Sequence, residues 1–380
     1  MTLSPIVTVA SPEDDLFLIP AGFLRGPVAA LQTVSTPEAL PVAGNRRTLF
    51  TRVVVAARSP DGTGQRFLLT LAELDTLIAR AAAPVRAVLE YRLDALSRPA
   101  RPFAGLSAPP GRPLVMGILN VTPDSFSDGG HHNTTEAAIA HGLRLLDEGA
   151  DIIDIGGEST RPGSAPVAAA EEIGRVVPVI RALSERGAVV SVDTRNAATM
   201  EASLAAGARI INDVTALTGD PRSGDVIRAT RTPVILMHMQ GEPGTMQDAP
   251  SYRDALLDVA SWLQARVRTC VGLGLPLHDI CVDPGLGFGK DLEHNMRLCA
   301  EAGAFPGLGT PVLMAGSRKR FIGALTGEDQ PLNRLGGSIA MALKAAREGA
   351  LMVRVHDVAQ TLQALRVARA LDDLTATEES

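Results

Sequence analysis

Polar residues recur where short apolar runs of this sequence stop. The runs end in Asn120, in Asp193, in Asn212-Asp213, in Asp283, in Ser317-Arg-Lys319 and in Arg354-Val-His356, and a further one opens onto Ser159-Thr-Arg161. Arg161, Lys319, Arg354 and His356 are cations or potential cations able to neutralise a multiply charged anion such as a diphosphate. Asp193, Asn212 and Asp283 supply acceptors, and a buried carboxylate can take two parallel N–H bonds from an amino-substituted heterocycle. Met237 and Phe288 could pack the faces of a flat ring. The sequence shows no Ser/His/Asp spacing typical of a hydrolase and no His or Cys cluster spaced for a metal. The chemistry that remains is the binding of a flat polar ring beside an anionic leaving group.

The elements that must carry these residues alternate. Strand-like runs are expected at Leu114–Val121, Asp151–Gly157, Val189–Thr194, Arg209–Val214, Pro233–Met239, Ile280–Gly285, Pro311–Ser317 and Leu351–Asp357. Helical patterns fall between most of them, among them Glu136–Glu148, Ala168–Glu185, Tyr252–Val271, Leu292–Ala302 and Leu335–Glu348, and a last one at Val358–Ala370. Strand and helix alternating eight times over about 260 residues predicts a (β/α)8 TIM barrel, whose ligands bind at the C-terminal ends of the strands. That is where the polar residues stand. A doubly wound sheet is the competing α/β fold, but no G-x-G-x-x-G follows a strand here.

Ahead of the barrel, residues 98–113 are rich in Pro, Gly and Ala and read as a linker, which leaves 1–97 as an N-terminal extension, 114–372 as the catalytic domain and 373–380 as a tail. Within the extension, Phe50–Ser59 and Gln65–Thr70 flank a Pro60-Asp-Gly-Thr-Gly64 turn and predict a hairpin. Thr70-Leu-Ala-Glu73 predicts a capping box opening a helix to about Ala83, with a second helical piece at Val85–Leu96, so a small α+β domain is expected. No chemistry is visible in it.

Composition excludes several classes. Of 380 residues 46% are hydrophobic, enough for a sizeable core, and the net charge of −6 argues against nucleic acid as a partner. Three cysteines without Cys-x-x-Cys spacing predict neither a disulfide framework nor a zinc site and fit a reducing, cytoplasmic compartment. Neither a signal peptide nor an apolar run near the ~20 residues of a membrane helix is seen, so no membrane is expected.

The longer motifs carry a resemblance. Met116-Gly-Ile-Leu-Asn-Val-Thr-Pro-Asp-Ser-Phe-Ser-Asp-Gly-Gly130 and Asp154-Ile-Gly-Gly-Glu-Ser-Thr-Arg-Pro-Gly163 resemble the two signatures of dihydropteroate synthases. Asp283-Pro-Gly-Leu-Gly-Phe-Gly-Lys290, Ser317-Arg-Lys319 and Arg354-Val-His356 match further blocks in order, so the likeness runs from about Pro113 to Leu371. The family's usual chain starts near the first barrel strand, which makes residues 1–110 an addition.

The resemblance implies a transferase. It would join 6-hydroxymethyl-7,8-dihydropterin diphosphate to 4-aminobenzoate with magnesium, as a cytoplasmic homodimer and a member of a family that is a sulfonamide target. It implies that Asn120 helps bind magnesium, and that Thr160 and Arg161 belong to a mobile loop serving aminobenzoate and diphosphate. Asp193, Asn212 and Asp283 would hold the pterin's nitrogen edge, Met237 and Phe288 line its pocket, and Lys319 donate to its carbonyl and ring nitrogen. Ser317 would lie near aminobenzoate, Arg354 would stack on the pterin, and Arg354, His356 and Asn120 would bind diphosphate. A pterin-binding methyltransferase would share barrel and pterin contacts without needing the Asn120 and Arg161 loops. A catalytically silent homologue would be expected to have lost Asn120, Arg161, Lys319 or Arg354. Other polar residues have plainer expectations: Asp213 a cap or structural residue, His238 a packed strand residue, Arg318 and Arg320 surface cations, Asp357 a cap of the last helix.

Overall fold

The structure is a computed structural model and describes residues 9, 11–26, 28–29, 38–122, 131–159, 167–242 and 244–373. Thr160, Arg161 and much of the two long motifs lie outside the described residues.

The extension opens with a one-turn helix, α1 (Pro12–Asp15), and a four-stranded antiparallel sheet made by β1 (Leu16–Arg25), β2 (Leu40–Val42), β3 (Asn45–Arg58) and β4 (Gly64–Thr70). Strand β3 pairs with β1 along one edge and with β2, then β4, along the other. The expected β3–β4 hairpin is present. So is the capping box: Thr70 N–H donates to Glu73 Oε2 (2.8 Å) and Glu73 N–H to Thr70 Oγ1 (3.2 Å), opening α2 (Leu71–Arg80). Pro84 sits in the first turn of α3 (Ala83–Ser97), where its missing N–H costs nothing, rather than inside one longer helix.

Strand β1 was not anticipated, for a physical reason. Leu16 and Leu18 face the extension's own core with Phe50, Leu74 and Leu89, whereas Phe17 and Ile19 join the apolar layer around the barrel. A strand buried on both faces loses the alternation that marks a half-buried one. Its Pro20 is tolerated because β1 has only one sheet neighbour.

The barrel follows as β5 (Leu114–Asn120), α4 (His131–Asp147), β6 (Ile152–Gly156), α5 (Ala169–Ser184), β7 (Val190–Asp193), α6 (Ala197–Ala205), β8 (Ile210–Asp213) and α7 (Ser223–Thr230). It continues with β9 (Val234–Met237), α8 (Ala255–Gly272), β10 (Ile280–Asp283), α9 (Leu292–Ala300), β11 (Leu313–Met314), α10 (Arg320–Thr326), α11 (Leu335–Arg347), β12 (Met352–Val355) and α12 (Val358–Asp372). The eight strands pair in parallel in the order β10-β9-β8-β7-β6-β5-β12-β11, and a parallel bridge between Val282 and Val312 closes the ring. Alternate strand residues point to opposite sides. Val115, Ile153, Val190, Ile211 and Leu236 pack under the helices, while Met116, Ile152, Ile210, Ile235, Cys281, Leu313 and Met352 fill the interior.

Residues 98–113 do more than connect. Phe103, fully buried, joins that interior layer. Ala104 is pinned from both sides, its N–H donating to Asp279 Oδ1 (3.3 Å) and its carbonyl accepting from Arg209 Nη2 (2.9 Å). Asp279 and Arg209 precede strands β10 and β8, so the segment plugs the end of the barrel opposite the strand C-termini.

Candidate active site

The barrel's topology alone brings strand ends far apart in sequence to one rim, as in the pairing of Arg354 with Asp154, 200 residues away. Asp193, Asn212, Met237, Asp283, Phe288, Lys319 and Arg354 line a single cleft, together with Val214, Leu286 and Ala315. Seven of the residues expected from sequence therefore meet. Ser317 and His356 meet beside them, with Ser317 Oγ 3.0 Å from His356 Nδ1. Asn120 closes the group at the end of β5. A Cβ built on Gly156 would lie 3.8 Å from Asn120 Oδ1 and 3.7 Å from Asp193 Oδ2, so the two oxygens flank the same glycine.

The electrostatic centre is Arg354. Its Nε donates to Asp154 Oδ2 (2.6 Å) and its Nη2 to Asp193 Oδ2 (2.7 Å). Asn212 Nδ2 donates to the same Asp154 oxygen at 3.0 Å. Asp154 Oδ1 is buried with no hydrogen-bond partner. Three carboxylates, Asp154, Asp193 and Asp283, thus share two cations, Arg354 and Lys319. Burial pushes the Asp193 carboxyl up against the pull of Arg354, and burial raises Asp283 against the N–H of Gly285, 2.7 Å from its Oδ1. Lys319 Nζ stands 4.2 Å from the centroid of the Phe288 ring. Burial brings its ammonium down to about 8, with Asp283 opposing and Arg354 adding to the shift. None of Asp193, Asn212 and Asp283 caps the helix that follows its strand: α6 is preceded by Asn196, α7 by Arg222 and α9 is capped by Asp291.

Two buried residues of the site were not singled out from sequence. Asp154 orients Arg354 and Asn212, but lies inside β6, where a carboxylate gives no local signal. Lys290 is nearly inaccessible and organises the loop after β10. Its ammonium lies 3.0 Å from the carbonyls of Gly285 and Phe288, 3.3 Å from that of His238 and 3.0 Å from His238 Nδ1. As an ammonium can only donate, His238 accepts at Nδ1, and burial beside this cation holds its imidazole well below the usual range. Gln247 Nε2 reaches the Gly287 carbonyl and the Tyr252 hydroxyl the Gly289 carbonyl, both at 2.7 Å. The backbone here requires glycine. Gly285 and Gly289 have φ of +68° and +59°, and a Cβ would fall 1.9 Å from the His238 carbonyl oxygen and 2.2 Å from that of Gln240. The loop presents Phe288 to the cleft.

Burial lowers Lys290 to about 7, against about 10.4 for an unfolded lysine. Between those values the unfolded chain binds one more proton than the folded one, so stability rises with pH by up to ~1.4 kcal/mol per unit. Lys290→Met is expected to abolish this rise between about pH 7 and 10. Urea unfolding at pH 7, 8 and 9 measures it, and parallel pH profiles for both proteins would refute it.

The plainer expectations divide. Asp213 is structural: its carboxylate accepts from Thr215 N–H (2.7 Å) and Leu217 N–H (2.9 Å). His238 is packed edge-on against Trp262 at 5.0 Å. Arg320 is exposed as expected. Asp357 does not cap α12 through its side chain; instead it takes Arg318 Nε (3.0 Å) and Nη2 (2.5 Å), so Arg318 is no free surface cation either. The fork-to-fork geometry outcompetes a cap because both carboxylate oxygens are used at once. Glu158 accepts from Arg195 Nη2 at 2.8 Å, two residues before Thr160 in the sequence.

Comparison with known proteins agrees with this geometry. The family model described as pterin binding enzyme matches residues 116–356. The dihydropteroate synthase of Escherichia coli K12 is 46% identical over 267 residues, covering 70% of this chain and 94% of the relative. A structure of Xanthomonas albilineans dihydropteroate synthase with 4-aminobenzoic acid aligns at a TM-score of 0.65 with 49% identity, over 70% of this chain and 94% of that one. The same protein in complex with 7,8-dihydropteroate aligns at 0.63 with 47% identity, over 70% and 95%. A barrel of this construction, with these residues on its rim and this likeness along its length, belongs to the dihydropteroate synthases within the pterin-binding enzymes.

Proposed function

We propose that the chain condenses 6-hydroxymethyl-7,8-dihydropterin diphosphate with 4-aminobenzoate to give 7,8-dihydropteroate and diphosphate. The observation that carries the reading is the single cleft shared by Asp193, Asn212, Asp283, Lys319 and Arg354 under the Phe288 ring. Relatives whose structures hold 4-aminobenzoic acid and 7,8-dihydropteroate support it.

In this reading Asp193, Asn212 and Asp283 take the nitrogen edge of the pterin, and Lys319 donates to its carbonyl and ring nitrogen. Met237 and Phe288 line its faces. Arg354 and His356 hold the diphosphate, and Ser317 lies toward aminobenzoate. Thr160 and Arg161 complete that side from their loop. The bond from the pterin methylene carbon to the diphosphate oxygen breaks, and its electron pair leaves with the diphosphate. The carboxylate-lined pocket stabilises the cationic methylene. The aminobenzoate nitrogen then bonds to that carbon and gives up a proton.

Magnesium suits the site. Asn120 Oδ1 puts a hard oxygen donor beside Gly156. Magnesium commonly takes few protein ligands and completes its shell with water and substrate phosphate. Asn120 would hold it, and the ion would supply charge neutralisation on the leaving diphosphate. The homodimer is the state the family resemblance implies. Three buried, unpaired cysteines fit a reducing cytoplasm.

Turnover of the purified protein with pterin diphosphate, magnesium and 4-aminobenzoate tests the reading. Dihydropteroate and diphosphate are expected in equal amounts; a folded protein that binds the pterin and releases neither would overturn it. Sulfonamides, which copy the shape and amine of aminobenzoate, are expected to inhibit competitively. Inhibition that excess 4-aminobenzoate cannot relieve would contradict the aminobenzoate site.

A further inference from the structure

The hairpin of the extension meets the barrel at the first turn of α8 and at Glu301, just after α9. Arg58, at the end of β3, donates from Nη2 to Asp258 Oδ1 (2.7 Å) and from Nε to Asp15 Oδ1 (2.9 Å). Arg66 in β4 donates from Nη2 to Asp254 Oδ1 (3.0 Å) and forms a fork with Glu301 at 2.9 Å on both oxygens. These side chains are largely withdrawn from water, Arg66 to 21% and Asp254 to 13% exposure. The hairpin also comes close at Gly64, where a Cβ would lie 1.8 Å from the Asp254 side-chain Oδ2, although Gly64 has no left-handed φ; any larger residue there would displace the carboxylate that Arg66 grips.

The residues gripped in this way border the site. Asp254 caps α8 through the Leu257 N–H (3.0 Å), and Asp258 accepts from the N–H groups of Arg253 (2.9 Å) and Asp254 (3.3 Å). Two residues before the cap is Tyr252, whose hydroxyl holds the Gly289 carbonyl; Gln247, in the same segment, holds that of Gly287. Phe288 lies between those two carbonyls and faces the cleft.

We propose that the N-terminal extension is a positioning element for the pterin pocket: Arg58 and Arg66 act through Asp254 and Asp258 to keep Tyr252 and Gln247 on the Gly285–Gly289 loop. The assignment of the pocket's ligand rests on the function proposed above; the mechanical link does not. The family model begins at residue 116, so this support is an addition to the shared core.

The test uses the full chain and a double-mutant cycle of Arg66→Gln and Asp254→Asn. Asn at a cap still accepts the Leu257 N–H, so the second change removes the charge pairing and keeps the helix start. Each single variant is expected to raise KM for the pterin diphosphate about tenfold, leave KM for 4-aminobenzoate unchanged and speed amide exchange at Gly285–Lys290. The double variant is expected to go no further than either single one, as for residues acting as a pair. Arg268→Gln is the control: Arg268 meets Glu13 and Asp14 on the same seam, away from the first turn of α8, and the variant should change neither readout. A lowered Tm with unchanged loop exchange and unchanged pterin KM, or additive effects in the cycle, would overturn the proposal. Should the Arg66 variant fail to fold, Tyr252→Phe removes only the hydroxyl on Gly289; unchanged loop exchange there would overturn it equally. Exchange needs no substrate, so it decides the link even where the reaction assignment fails.

Discussion

Lys319→Ala is expected to lower kcat/KM for the pterin diphosphate by about 10²–10³-fold, the usual loss when one donor is removed from a water-excluded site. The cause is positional. The Lys319 ammonium is held over the Phe288 ring, in the fields of Asp283 and Arg354, at the wall of the cleft. Alanine leaves the pterin's acceptors without that donor, and a buried acceptor left unpaired carries its full desolvation cost. Arginine should rescue poorly, because a planar fork cannot stand where a compact ammonium does. The pH dependence has a definite sign. With its proton held only to about 8 in the free protein, Lys319 should lose donor capacity above that value, so pterin binding by the native enzyme declines on the alkaline side. Binding of the pterin diphosphate to both proteins from pH 6 to 10 checks this. Near-native turnover by the alanine variant, or a flat alkaline limb in the native enzyme, would remove Lys319 from the site.

What the sequence disclosed follows the physics of each feature. The strand-end residues were legible because the barrel converts a linear rule, the polar residue after an apolar run, into a spatial one. Asp193, Asn212, Asp283, Lys319 and Arg354 obey that rule. Partnerships were not legible. Arg354 meets Asp154 because β12, β5 and β6 lie side by side with Arg354 paired to Met116 and Ile118 to Asp154; no local pattern encodes a contact across three strands. Lys290 was visible as the end of a glycine motif. Its role depends on four acceptors brought together by the turns at Gly285 and Gly289 and by the end of β9. Strand β1 and the Phe103 plug escaped for another reason. The first half of β1, Leu16–Pro20, and Phe103 are buried, and such burial erases the polar–apolar alternation that reading relies on. Asp357 was misjudged because a capping position and an ion-pair position look alike in sequence, and only the position of Arg318 decides between them.

Arg354→Met should abolish turnover and also destabilise the fold, in a way that separates the two roles. Arg354 is the only cation bonded to both Asp154 and Asp193 among the described residues, with side-chain exposures of 16%, 0% and 12%. Removing one partner of a buried pair typically costs about 3–5 kcal/mol, since the remaining charge stays buried and uncompensated. The Asp193 carboxyl, already pushed up by burial and held down by Arg354, would then favour its protonated form, further above the unfolded value of about 3.9. Such groups stabilise the folded state below the unfolded value, and that contribution is lost as pH rises through the folded one. The variant should therefore approach the native protein in stability near pH 4 to 5 and fall behind toward pH 8. Adding Asp154→Asn should recover much of the stability at neutral pH, by removing one unpaired charge, without restoring the reaction. Urea unfolding at pH 5 and pH 8 reads the difference. A stability gap independent of pH would mean that Arg354 contributes packing through its methylene stem and not charge. Recovery of activity in the double variant would mean that Arg354 serves the fold alone, and diphosphate binding would then have to rest on His356, Asn120 and Arg161.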